Sequence, residues 1–282
     1  LGHLPAIIHP NPRTALVVGF GAGVTAGSLV VHPEIERIVI CEIEPLVPKA
    51  AGEYFASANY NVLDDPRVEV VYDDARHFIA TTQERFDIVT SDPIDPWMDG
   101  AAVLYSVEYY ALAKKILRAG GIVSQWLPLY ESDEPSAKSE LASFLQVFPE
   151  GTVWSSHIPR NGGTDLVMIG QVGAMKIDVD RVASRIAGNP RLAQSLADVD
   201  LDYMITLLAA YMGRKSDLAE WLEDAQINHE RSLRLQYLAG FSVERYEDLE
   251  IYRSIAAYRR YPEDLFIAPP GIRERVQARW SQ

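Results

Sequence analysis

Cysteine is nearly absent: the 282-residue chain has only Cys41. An intrachain disulfide is therefore excluded, and the composition suits a reducing, cytoplasmic compartment. Cys41 closes the apolar run Ile38-Val-Ile-Cys41 and reads as a small core residue, not a nucleophile. No apolar stretch exceeds strand length, so no segment reads as a membrane span, and no signal peptide or transit segment is legible. The chain begins at Leu1 and not Met, which suits a piece of a longer protein. The six histidines show no metal-ligand spacing, so no metal is expected. Cations are scarce: 26 Lys and Arg stand against 39 Asp and Glu, a formal charge of −13. That balance argues against nucleic-acid binding, which needs clustered Lys and Arg. It suits a small cationic ligand drawn into an acidic cleft, though acidity more commonly serves solubility alone.

What is present is a regular alternation of strand and helix. Apolar content of 48% is enough for a sizeable core. Strands are expected at residues 14–18, 35–42, 68–72, 86–91 and 122–127, with helices between them. Gly120-Gly121 is expected to end the helix over 106–117. A helix over 135–148 follows, then strand-like runs at 152–157 and 165–170. The short turn at 159–163 between those two runs makes them an antiparallel hairpin. This pattern describes an α/β doubly wound, mostly parallel sheet with helices on both faces. From about Met175 the texture changes, and helices are expected at 179–187, 191–196, 201–212 and 216–223. The chain therefore divides into an α/β domain over 1–174 and a mainly helical extension over 175–282. The run over 252–261 reads as a solvated helix face. The extension is a helical appendage on the sheet edge or a docking surface, the latter admitting a homodimer.

Three strand ends carry ligand chemistry in order. Gly19-Phe-Gly21-Ala-Gly23 lets backbone approach a ligand and permits positive φ. Alone it fits a dinucleotide, an adenosyl-sulfonium compound or nothing. Glu42 ends the second strand about 20 residues later, where an acid can hold both ribose hydroxyls, with Glu44 as a substitute. Asp74-Ala75 ends the third strand, where an acid can accept from an adenine amine while a small residue lets the ring lie close. Together they favour an adenosine-containing ligand. The fourth strand ends in Ser91-Asp92-Pro-Ile-Asp95-Pro-Trp97. Its prolines forbid both ladder and helix, leaving two carboxylates suited to a cationic substrate or to an amine that must lose a proton. A proline turn whose aspartates cap neighbouring backbone N–H groups is the simpler alternative.

These residues, with Leu63-Asp-Asp-Pro-Arg-Val68, Leu104-Tyr105-Ser-Val-Glu-Tyr-Tyr110 and Ser124-Gln125, resemble the spermidine synthase family of polyamine aminopropyltransferases over roughly residues 3–170. Gln125-Trp-Leu-Pro-Leu-Tyr-Glu131 is similar to such domains attached to bacterial membrane segments. The resemblance implies a seven-stranded, methyltransferase-like Rossmann sheet. It implies decarboxylated S-adenosylmethionine as co-substrate, held by Gly19, Gly21, Gly23, Glu42, Asp74 and Ala75, and a small-molecule amine as acceptor. Asp92 would be the proton acceptor, with Asp95, Gln125 and His3 around the amine. Two departures stand out. Ala22 occupies a position where the family usually has aspartate, and only residues 1–12 precede the first strand where the family has a β-rich cover. The alternatives are an S-adenosylmethionine-dependent methyltransferase using the same loops, and a non-catalytic adenosyl- or polyamine-binding domain. A nicotinamide dehydrogenase is disfavoured by Val24 and has no use for the Asp92–Asp95 turn.

Overall fold

The computed structural model describes residues 1–155, 165–201, 203–243 and 245–281. Helix α1 (His3–Ile8) leads into β1 (Thr14–Val18), α2 (Val24–Val30), β2 (Arg37–Glu42), α3 (Leu46–Tyr54), β3 (Val68–Tyr72), α4 (Ala75–Thr81) and β4 (Phe86–Ser91). A 3-10 turn (Ala101–Tyr105), α5 (Val107–Ile116), β5 (Leu117–Leu127), α6 (Glu134–Val147), β6 (Thr152–Ser155) and β7 (Leu166–Gln171) follow. The remainder comprises β8 (Ile177–Asp178), α7 (Val179–Gly188), α8 (Pro190–Ala197), α9 (Met204–Ala209), β9 (Tyr211–Arg214), α10 (Arg234–Ser242), α11 (Asp248–Ala256), β10 (Phe266–Ile267) and α12 (Ile272–Trp280).

The main sheet runs β3-β2-β1-β4-β5-β7-β6-β9. Its first five strands are parallel, and β7, β6 and β9 pair antiparallel. Strands β1, β2 and β4 are buried along almost their whole length, as crossover helices on both faces require. Asp87 pins β4 to β1: its Oδ2 accepts from the Arg13 and Thr14 amides, each at 2.9 Å. The chain moves outward from β1 through β3 and then returns to place β4 on the other side of β1. The crevice above the carboxyl ends of β1 and β4 is thus the switch point at which open α/β sheets bind ligands.

Four expectations need correction. The sheet has an eighth strand, β9, where the end of a helix over 201–212 was expected. Tyr211 and Met212 are fully buried there, and a β-prone pair gains more by closing the sheet edge than by extending α9. Residues 216–223 form turns, because Asp217 accepts from the Tyr211 hydroxyl at 3.1 Å and the Arg214 amide at 3.2 Å, holding a local turn. Gly120 and Gly121 lie inside β5, which starts at Leu117, and the β4–β5 register shifts there as a bulge. The run over 252–261 is not simply a solvated face: Tyr252 and Ile255 are buried, and Arg259 lies over the Trp280 ring at 4.7 Å. The hairpin turn at 159–163 falls outside the described residues. Among the described residues, no helix is long and apolar enough to cross a membrane.

Candidate active site

Gly19, Gly21 and Gly23 all have positive φ, at 81°, 55° and 77°. The requirement is strictest at Gly23, where a β-carbon would lie 2.7 Å from the Phe20 ring. At Gly21 a β-carbon would meet nothing within 4 Å, so the turn presents bare backbone to open space above the crevice. Glu42 holds this turn. The Phe20 amide donates to its Oε2 at 2.7 Å and the Glu44 amide to its Oε1 at 2.8 Å. Each carboxylate oxygen therefore keeps acceptor capacity for a hydroxyl. Glu44 serves locally, accepting from the Leu46 amide at 2.9 Å. At the end of β3, Asp74 caps α4 through the His77 amide at 2.8 Å. Its Oδ1 carries that bond, and Ala75 is the first residue of the helix. Asp74 thus caps α4 without using both oxygens.

The β4 turn brings Asp92 back over the glycine turn. A β-carbon on Gly19 would lie 4.0 Å from the Asp92 carbonyl oxygen, and the Thr25 hydroxyl donates to Asp92 Oδ2 at 3.1 Å. Asp92 keeps solvent-accessible surface but stands in a concavity with protein on most sides. That burial raises its pKa above the ordinary carboxylate range. The Thr25 hydrogen bond opposes the shift, and Asp165 adds to it. Asp95 is half-buried in the same turn. Burial, then the Asp95 carboxylate within hydrogen-bonding range, raises the Tyr130 phenol. Tyr130 in turn packs on Trp126, with ring centroids 5.8 Å apart.

A cavity of about 500 Å³ is lined by Thr25, which bonds Asp92, and by Tyr60, Trp126, Trp154, Asp165 and His3. His3 is on this wall, but both ring nitrogens are engaged, Nδ1 with His32 at 3.1 Å and Nε2 with Ser195 at 2.8 Å. Burial, then its neighbour His32, pulls the His3 pKa well down, and burial takes His32 to about 3. The pair is neutral at physiological pH. Gln125, near the end of β5, pairs with Ser91, one residue before Asp92; it is fully buried, and among the described residues neither its amide nitrogen nor its amide oxygen has a hydrogen-bond partner.

The strand ends thus assemble Gly19, Gly21, Gly23, Glu42, Asp74, Ala75 and Asp92 around one crevice, with Asp95 beside them and His3 on the adjoining wall. Motif reading missed Thr25, Tyr130, Asp165 and Glu140. Asp165 immediately precedes β7, and Glu140 comes from the buried face of α6, where it sits among Ala137, Leu141 and Phe144. An acid on that apolar stripe was a signal available in the sequence. Cys41 is buried, and burial pushes its thiol up to about 12, consistent with a core role. Among the described residues, no group of three His, Cys, Asp or Glu side chains could hold a metal ion.

A family model described as the spermine/spermidine synthase domain matches residues 1–175. The polyamine aminopropyltransferase of Streptococcus pneumoniae is 33% identical over 161 residues, covering 56% of this chain and 56% of the relative. That of Moorella thermoacetica is 30% identical over 194 residues, covering 66% of each. The chain therefore spans between about half and two thirds of the length of such curated relatives. Among solved structures, a spermidine synthase in complex with the transition state analogue AdoDATO aligns with a TM-score of 0.62 at 20% identity, over 79% of this chain and 72% of that one. Human methyltransferase-like protein 13 aligns at 0.50 and 20% identity, over 68% and 86%. At these identities the structures speak for the fold alone: a methyltransferase-like Rossmann sheet with flanking helices.

Proposed function

Because this chain belongs to the spermine/spermidine synthase domain family, we propose that it moves an aminopropyl group from decarboxylated S-adenosylmethionine to a diamine or polyamine such as putrescine, releasing methylthioadenosine. The observation that carries this reading is Asp92: a carboxylate hydrogen-bonded to Thr25, at the switch point of the sheet and beside a bare glycine turn. Glu42 takes the ribose hydroxyls with its remaining acceptor sites. Asp74, whose Oδ1 caps α4, offers Oδ2 to the adenine amine over Ala75.

The acceptor amine, with a pKa of about 10, arrives protonated and cannot attack. Asp92 holds the ammonium and takes its proton as the nitrogen lone pair forms the new carbon–nitrogen bond. The carbon–sulfur bond breaks with its electron pair going to sulfur, so the sulfonium leaves as a neutral thioether. Asp95 and Gln125 fix the acceptor chain so that the nitrogen lies in line with that bond, and His3 shapes the neighbouring wall. A free, buried Cys41 supports work in a reducing, cytoplasmic compartment. The exposed Tyr237 and Phe241 of α10 supply a face for a homodimer.

Incubation with decarboxylated S-adenosylmethionine and putrescine, followed by chromatography for methylthioadenosine, tests the reading. Absence of that product, with nucleoside bound, would refute it. A second reading, methyl transfer from full S-adenosylmethionine, is favoured by Ala22, which supplies no counter-charge for the aminopropyl ammonium. Tighter binding of the full nucleoside than of the decarboxylated one would select it.

A further inference from the structure

The segment before α10 reaches back to the nucleoside side of the crevice. Arg76 directly follows Asp74 and Ala75 and stands in the first turn of α4. Its Nε donates to Glu230 Oε1 and its Nη2 to Glu230 Oε2, both at 2.6 Å. A fork of this kind fixes the plane of the guanidinium as well as its position. Both side chains are partly buried. Glu230 is itself held at its backbone, where its amide donates to Glu108 Oε2 at 3.1 Å. The neighbouring His229 ring bonds Glu108 Oε1 at 3.0 Å. The segment closes at Leu233, whose φ of 44° is rare for leucine and persists because its surroundings impose it. All of these residues except Arg76 and Glu108 lie beyond residue 175, where the family match ends.

The charges around Arg76 show what the fork achieves. Glu230 raises the Arg76 pKa through its hydrogen bonds, and the carboxylates of Asp74 and Glu108 add to the effect. Asp74 thus attracts the guanidinium, yet it is Glu230 that binds it. Asp74 Oδ1 is occupied by the His77 amide at 2.8 Å, so a guanidinium drawn to Asp74 would take Oδ2. That is the oxygen offered to the adenine amine. An arginine left loose two residues from this carboxylate would occupy the acceptor that reads the base. The paired oxygens of Glu230 outcompete the single free oxygen of Asp74 and hold the guanidinium off it.

We propose that Glu230 is a positioning residue for base recognition: by holding Arg76, it keeps Asp74 Oδ2 open to the exocyclic amine of the nucleoside. This rests on the adenosyl-nucleoside reading of the crevice and gives the C-terminal extension a part in it. Glu230 does not touch the ligand. A plain brace between α4 and the extension makes a different prediction. For a brace, removing Arg76 along with Glu230 leaves the site as weak as removing Glu230 alone, or weaker. Where Glu230 restrains Arg76, removing the arginine as well frees the Asp74 oxygen again.

The unaltered chain, Glu230→Gln, and the double variant carrying Arg76→Ala with Glu230→Gln are titrated calorimetrically with methylthioadenosine and with its analogue lacking the exocyclic amine. The unaltered chain is expected to prefer methylthioadenosine. Glu230→Gln is expected to lose about tenfold in methylthioadenosine affinity, the scale of one charge-assisted hydrogen bond, and to leave the analogue unchanged. The double variant is expected to return to within about threefold of the unaltered chain. Equal losses for both ligands, an absent or unaltered preference, or a double variant as weak as Glu230→Gln overturn the proposal. Glu230→Asp, one methylene short of the fork, is expected to show the same selective loss. It decides the question if Glu230→Gln does not fold, and an unchanged preference there overturns the proposal. Failure of the unaltered chain to bind methylthioadenosine defeats the nucleoside reading and this proposal together, whereas binding that is indifferent to Glu230→Gln defeats the proposal alone.

Discussion

Replacing Asn228 with alanine should both destabilise the chain and weaken its hold on the amine. Asn228 is fully buried and bonds four elements at once. Its Nδ2 donates to the Ala102 carbonyl at 2.7 Å, and its Oδ1 accepts from the Leu235 amide at 3.2 Å. Its backbone amide donates to Ser143 Oγ at 2.8 Å, and its carbonyl accepts from the Val107 amide at 3.1 Å. Alanine keeps the two backbone bonds and removes the two side-chain bonds. The Ala102 carbonyl and the Leu235 amide are then left unpaired, at roughly 1–3 kcal/mol each, for a total of about 3 kcal/mol. For a chain of this size that lowers Tm by about 5 °C. Ala102 belongs to the 3-10 turn that carries Tyr105, directly after the Asp92–Asp95 turn. The change should therefore raise KM for the amine more than KM for the nucleoside, whose proposed contacts lie at the ends of β1 to β3. Urea denaturation and paired substrate titrations measure both quantities. A loss below about 0.5 kcal/mol with unchanged amine KM would show that α10 and its preceding loop do not brace the acceptor side, and the reasoning would fail.

Asp92→Asn should abolish turnover while leaving nucleoside affinity within a few-fold, as judged by product assay and equilibrium dialysis; a full rate in this variant removes the base assignment. The acid limb of the pH profile of kcat/KM should lie above the ordinary carboxylate range, because burial favours the protonated form of Asp92. Activity would then be lost as pH falls through that raised value, and a limb at or below about 3.9 would contradict it. Gly27→Ala should destabilise by about 1–3 kcal/mol, since the added β-carbon would lie 2.2 Å from the Asn59 carbonyl oxygen; an unchanged unfolding midpoint would show that α2 can shift.

The parallel half of the sheet was legible because each element is announced locally: β-branched runs, a glycine turn, and acids at the strand ends. Glu42, Asp74 and Asp92 occupy the places those signals indicate. Strand β9 was not legible, since Tyr211 and Met212 continue the helical stripe of α9, and only the distant edge of β6 makes them a strand. Helix α1 was hidden by Pro5 and by its brevity. Arg185 of α7 stabilises it from far along the chain, donating to the carbonyls of Ala6 at 2.8 Å, His9 at 2.6 Å and Pro10 at 2.7 Å. The acids of the site divide the same way. Asp92 and Asp95 share one turn and were found together, whereas Asp165 and Glu140 reach them only through the pairing of β7 and the docking of α6.

The outermost strand bears on how this protein can be divided. The family match stops at residue 175, yet β6 is bonded on its outer side by β9, from residues 211–214. A chain trimmed to the matched region would leave the amides and carbonyls of Thr152 and Val153 bare along an apolar rim. Such a rim recruits strands from other molecules. Preparations cut at the family boundary should therefore clump, while those extended past Arg214 stay dispersed.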